Sequence, residues 1–186
     1  MEQLQQREWC ELRSSTWRFL LQREHILRSK HLPLLQYLVM PSFTDTWCID
    51  LVRSGDTLAA YHTTWFMTRD IKAFATAIER LKHPRPFVPT VESTPLDISN
   101  DTIASLMSKL AGAKVSLESI RNSISLDGTG YALQVGDGWT GVLLEWHNQL
   151  PDEWPDELTD VVRELDAMQR QFAGRAPEQT DESESF

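Results

Sequence analysis

The stretch Thr46-Trp-Cys-Ile-Asp-Leu-Val-Arg-Ser-Gly-Asp-Thr-Leu-Ala-Ala-Tyr-His-Thr-Thr-Trp-Phe-Met67 decides the fold. Its flanks, Thr46–Val52 and Thr57–Met67, are rich in Trp, Ile, Val, Thr and Tyr, side chains that fit a pleated surface. Between them Arg53-Ser-Gly-Asp56 supplies turn chemistry, so the pair predicts a β-hairpin. Both strands carry apolar residues on both faces, which predicts a sheet covered on each side, at least in part.

Working outward, Leu34–Met40 reads as a further strand ending at Pro41. Upstream of it, Gln3–Ser29 is dense in good helix formers, with Trp9, Leu12, Leu20 and Leu27 on one stripe. Ser14-Ser-Thr16 weakens the middle, leaving one long helix or two shorter ones, and Pro33 marks the break. Downstream of the hairpin, Ile71, Phe74, Ala75, Ile78 and Leu81 recur at helical spacing over Thr68–His83, with Thr68 or Asp70 as cap. Pro84 and Pro86 stop that helix, and a proline-punctuated extended stretch follows to Leu96 and Ile98. Ser99-Asn-Asp101 caps a helix running to about Leu110, with Ile103, Leu106, Met107 and Leu110 inward.

A second β unit begins near Ile124, in which Tyr131, Leu133 and Val135 alternate with Ala132 and Gln134. Gly136-Asp-Gly138 makes its turn, and Trp139–Trp146 returns with Val142, Leu144 and Trp146 on one face. Pro151 and Pro155 open a last helix, Asp156 to about Phe172. Its Leu158, Val161, Val162, Leu165, Met168 and Phe172 form a stripe opposite Glu157, Asp160 and Glu164. Strands that arrive in hairpins predict an α+β fold with a mostly antiparallel sheet, packed with N-terminal, central and C-terminal helices. At 186 residues the simplest assembly is a single domain over 1–173. The polar, acidic residues 174–186 make a disordered tail.

Charge is distributed unevenly. Residues 1–85 hold twelve lysines and arginines against nine acids, whereas residues 86–186 hold six against eighteen. The acids gather in Asp152-Glu-Trp-Pro-Asp-Glu-Leu-Thr-Asp-Val-Val-Arg-Glu-Leu-Asp166, an amphipathic helix with an anionic outer face. Such a face repels nucleic acid and anionic membrane and favours a cationic partner. The basic residues of the first helix are interleaved with Glu2, Glu8, Glu11 and Glu24, an ordinary solvated mixture rather than a phosphate track. Mean hydropathy is −0.36, and no run approaches the roughly 20 apolar residues that span a bilayer. Met1-Glu-Gln-Leu-Gln-Gln-Arg-Glu8 lacks the form of a secretory signal, so the cytoplasm is the expected compartment. Cys10 and Cys48 are expected as reduced, partly buried thiols.

The sequence holds few signatures of chemistry. Neither a phosphate-binding loop nor a nucleophile elbow occurs, and the glycines of Asp127-Gly-Thr-Gly130 precede a strand, where they serve a turn or bulge. None of His25, His31, His62, His83 and His147 has metal-ligand spacing, so neither metal nor cofactor is expected. Glu145 and His147 share a strand face, which more often means a solvated pair than a tuned base. His62 reads as a half-buried sheet histidine. Most of Trp47, Trp65, Trp139, Trp146 and Trp154 belong in the core, and Trp154, flanked by acids and prolines, is the best candidate for exposure.

Leu126-Asp-Gly-Thr-Gly-Tyr-Ala-Leu133, then Gly138, Trp146 and Leu150-Pro-Asp-Glu-Trp154, resembles a pattern in small uncharacterised bacterial α+β proteins. There a D-G-T-x-Y hairpin leads to a tryptophan-ended strand, L-P-x-x-W and a terminal helix. The resemblance covers about a third of the chain, and Trp47, Trp65 and Glu79-Arg-Leu-Lys-His-Pro84 match more loosely. Gly130 departs from the residue type usual at its position. The resemblance implies no catalytic residues, and proteins of this kind often prove to be immunity or antitoxin partners of toxic effectors, an association that the fold itself does not dictate.

The leading expectation is therefore a non-enzymatic protein that neutralises a cationic protein partner such as a toxin or effector. Glu153, Asp156, Glu157, Asp160 and Glu164 would form its anionic surface, with Trp154 as aromatic anchor. The alternative is a small hydrolase-like enzyme whose site assembles only in three dimensions, with His62, His147, Glu145 and Asp127 as suspects. A third reading is a structural subunit kept soluble by its acidity.

Overall fold

The computed structural model describes residues 3–23, 31–42, 44–70, 88–114, 128–136 and 141–173. In chain order the elements are α1 (Gln3–Leu21), β1 (Leu32–Met40), β2 (Thr46–Ser54), β3 (Thr57–Trp65), β4 (Val91–Leu96), α2 (Asn100–Gly112), β5 (Gly130–Val135), β6 (Val142–His147) and α3 (Asp156–Ala173). The strands form one six-stranded sheet in the order β4-β3-β2-β1-β5-β6, and every neighbouring pair is antiparallel. The fold is thus the α+β class expected.

The central hairpin forms where its sequence places it, with Thr46 opposite Trp65 and Ser54 opposite Thr57. Gly55 takes the positive φ of 61° that the first position of a two-residue hairpin turn demands. Pro33 lies inside β1 rather than before it. It tolerates that place because the β1–β2 register shifts between Pro33 and Leu35.

Alternation then sorts side chains onto two faces. One receives Leu35, Tyr37 and Val39 from β1, Ile49 and Leu51 from β2, Leu133 from β5 and Leu144 and Trp146 from β6. Against it pack Ile103 and Leu106 of α2 and Leu158, Val161, Val162 and Leu165 of α3, all buried. These residues recur every three or four positions, so each helix turns one stripe inward. Ser99 caps α2, its Oγ accepting from the Thr102 amide at 3.1 Å. Pro155 sits directly before α3, and its carbonyl accepts from the amides of Leu158 and Thr159.

The opposite face is covered by α1, whose Leu20 packs with Leu38, Cys48 and Ala132 and whose Leu12 packs with Trp65 and Met67. Cys48 is buried and Cys10 exposed; both are free thiols. The expected helix over Thr68–His83 begins at Met67–Asp70, and the rest of it lies outside the described residues. Asp70 does not cap it in the ordinary way. Its carboxylate accepts from Trp65 Nε1 at 2.5 Å and from the Thr90 amide and hydroxyl at 2.8 and 2.6 Å, joining the helix start to the approach of β4. Leu27, Ile124, Trp139 and the tail 174–186 also lie outside the described residues, as does the side chain of Trp9.

Removing a buried methyl-rich side chain from the α3 stripe leaves a cavity that the sheet cannot close. Leu165→Ala should lower unfolding free energy by about 2–5 kcal/mol in urea titrations, whereas Asp160→Ala on the outer face should change it by less than about 0.5 kcal/mol.

Candidate functional site

The acidic surface is built by a tight turn and a helix start. Trp154 turns inward, its amide donating to the Pro151 carbonyl at 3.2 Å and its ring meeting Trp146 edge-on at 4.8 Å. Only 8% of Trp154 is exposed, so it anchors the turn to the core rather than presenting an aromatic to a partner. This corrects the expectation of an exposed anchor. A ring flanked by four acids is nevertheless apolar, and the turn between Pro151 and Pro155 lets it point opposite to them.

With Trp154 held inside, Asp152 and Glu153 project outward, followed by exposed Asp156 and Glu157 in the first turn of α3. Those two carboxylates complement the positive end of the helix dipole, worth a few tenths to about 1 kcal/mol each. Asp160, one turn on, is exposed and lies 3.5 Å from Arg163 of the same helix, a solvated pair that contributes little. Glu164 is only partly exposed. It accepts from Lys109 Nζ and ties α3 to α2, so this expected site residue serves at least partly inside the fold.

Asp166, which sequence reasoning did not single out, faces the sheet. It accepts from the buried Tyr37 hydroxyl at 2.8 Å, and burial pushes its carboxyl above the usual aspartate range. Its position four residues after Val162 marks it as inward. Burial and then the adjacent carboxylate push the Tyr37 phenol up as well. Around Tyr37 stand Tyr131 and Trp146, stacked, and Trp47, edge-on at 5.6 Å.

The suspects for catalysis do not converge. His62 is on the α2–α3 face, sandwiched between Trp47 at 6.1 Å and Phe172 at 4.3 Å. Glu145 and His147 are on the α1 face, because β6 pairs them with Ala132 and Gly130. Both are exposed, and Glu145 accepts from Trp17 Nε1 at 2.9 Å. The sheet therefore separates His62 from the other two, and Asp127 lies outside the described residues. Gly128, with φ of 145°, exchanges two hydrogen bonds with the Ser42 hydroxyl, and a Cβ there would lie 2.0 Å from Asn148 Oδ1. Its glycine is required by that close approach.

Beneath α1 lies a sealed polar layer. Gln36 Nε2 donates to the Leu20 carbonyl at 3.0 Å and to Asp50 Oδ1 at 2.8 Å, and Cys48 Sγ donates to Asp50 Oδ2 at 3.3 Å. Arg23 reaches the carbonyls of Gly136 and Gln134 at 2.8 and 3.0 Å. Burial, reinforced by Asp50, pushes the Cys48 thiol well up, the opposite of an activated nucleophile. Among the described residues there is no group of three His, Cys, Asp or Glu side chains placed to hold a metal ion.

Burial also pushes the His62 imidazole down to about 4 from 6.5. The unfolded chain then takes up a proton below pH 6.5 that the folded chain refuses until about pH 4, so stability falls as the solution is acidified through that window. His62→Gln should remove about 2–3 kcal/mol of this acid-induced loss, read as the difference between variant and parent in urea titrations across the window.

Comparison with protein-family models, with curated proteins and with solved structures finds no match to this chain.

Proposed function

We propose that this chain is a non-enzymatic bacterial protein of the cytoplasm that binds and neutralises a cationic protein partner, in the manner of an immunity or antitoxin protein. The observation that carries the reading is the row of exposed carboxylates from Asp152 and Glu153 through Asp156, Glu157 and Asp160. Asp156, Glu157 and Asp160 stand on the outer side of a helix whose inner stripe is fixed in the core, and Asp152 and Glu153 lie in the turn before it, so the charge is held in one place. Arg13 and Arg18 belong to α1, which packs on the other face of the sheet.

A preset anionic patch acts mainly on the rate of encounter. It attracts a positive surface from beyond contact distance and loses that attraction as salt screens it. No described helix is long and apolar enough to cross a membrane. The resemblance to small bacterial proteins with a D-G-T-x-Y hairpin and L-P-x-x-W supports the same reading.

Co-purification from the native host at low ionic strength should recover a stoichiometric basic protein. The combined variant Glu153→Gln, Asp156→Asn, Glu157→Gln, Asp160→Asn should fold normally and associate with that partner about tenfold more slowly, with a flattened salt dependence. Recovery of no stoichiometric partner, or a variant that binds at the parental rate, would sink the proposal.

A further inference from the structure

The sheet has two margins, and they differ. At one, β4 carries Pro95 next to its last residue, preceded by exposed Glu92, Ser93 and Thr94. Proline offers no N–H to a further strand, so that margin is guarded. At the other margin β6, Val-Leu-Leu-Glu-Trp-His over 142–147, contains neither proline nor lysine nor arginine. Among the described residues no strand lies beyond it.

Val142 is 57% exposed and Leu143 41%. Consecutive strand residues point to opposite faces, so no single uncovered face accounts for both. Their common cause is position on the margin. Leu144 and Trp146 meanwhile hold β6 firmly on the core, and Glu145 is fixed by the Trp17 indole. An extended, well-anchored strand with apolar side chains at its rim is a template for strand addition.

We infer that the outer edge of β6 receives an extended, basic segment of the partner, which adds a seventh strand to the sheet. The inference rests on the proposed cationic partner and names where and how it docks. Charge decides the occupant. The Trp146–Trp154 contact places the acidic turn at the end of β6, so a strand laid along this edge runs toward Asp152, Glu153 and Asp156. Lysine or arginine in that strand gains a counter-charge there. A second copy of this chain gains none, because β6 has no cation to face Glu145 and the chain as a whole carries a net charge of −9.

The test uses the full chain and a synthetic blocked peptide of alternating lysine and valine, with a glutamate–valine peptide as control. Hydrogen exchange at residues 142–147 should slow severalfold with the lysine peptide and not with the control, and the effect should weaken with added salt. Leu143→Lys, at an exposed position, should leave the urea midpoint unchanged and weaken peptide binding about tenfold, as an edge lysine does in natural sheets. Protection confined to residues 156–164, or absent altogether, would overturn the inference. So would a concentration-dependent dimer abolished by Leu143→Lys, which would assign the edge to a second copy. If the co-purified partner binds Leu143→Lys normally but not the carboxylate-neutralised variant, the edge inference fails and the proposed function stands. Peptide protection without any co-purified partner strikes the proposed function instead.

Discussion

Burial of β1 and β2 on both of their faces is the constraint from which the architecture follows. Leu35, Tyr37, Ile49 and Leu51 point one way, and Gln36, Leu38, Cys48 and Asp50 the other, and all are buried. A pleated strand cannot hide both rows against a single layer. Helices must therefore cover each side, with α2 and α3 on one and α1 on the other. Moving the acids to the outside of α3 is a by-product of that demand, since the stripe Leu158, Val161, Val162 and Leu165 leaves only the far side for charge.

The two covered faces are held differently. Beneath α2 and α3 the contact is continuous hydrocarbon and aromatic surface, in which Tyr37 contributes its hydroxyl to Asp166. Beneath α1, Gln36, Asp50, Cys48 and Arg23 are tied to one another and to backbone carbonyls. Such groups stabilise little on net, because each gives up water to be there. What they supply is register: Gln36 grips the Leu20 carbonyl, and Arg23 grips the end of β5, so α1 has one place to sit.

Legibility in the sequence followed the strength of local patterns. The hairpin at Gly55, the Ser99 cap and the α3 stripe were readable because turn chemistry and helical period agree there with the tertiary structure. β4 was read only as an extended stretch, since Pro95 and exposed Ser93 and Thr94 hide a strand that gains its partners from β3 alone. The candidate site was half legible. Exposure of Asp156, Glu157 and Asp160 follows from period, whereas the inward swing of Trp154 and the Lys109–Glu164 tie depend on neighbours distant in sequence. The burial of Asp50 and the half-burial of Asp166 were invisible for the same reason: their partners Gln36 and Tyr37 come from β1.

The contrasting environments of Cys10 and Cys48 have a practical outcome. One thiol sits on the outer surface of α1 and the other is sealed between that helix and β2, so the native chain offers reagents a single reactive sulfur. A fluorophore or spin label attached at Cys10 would report from the side of the sheet away from the acidic helix, marking every molecule once without touching the core.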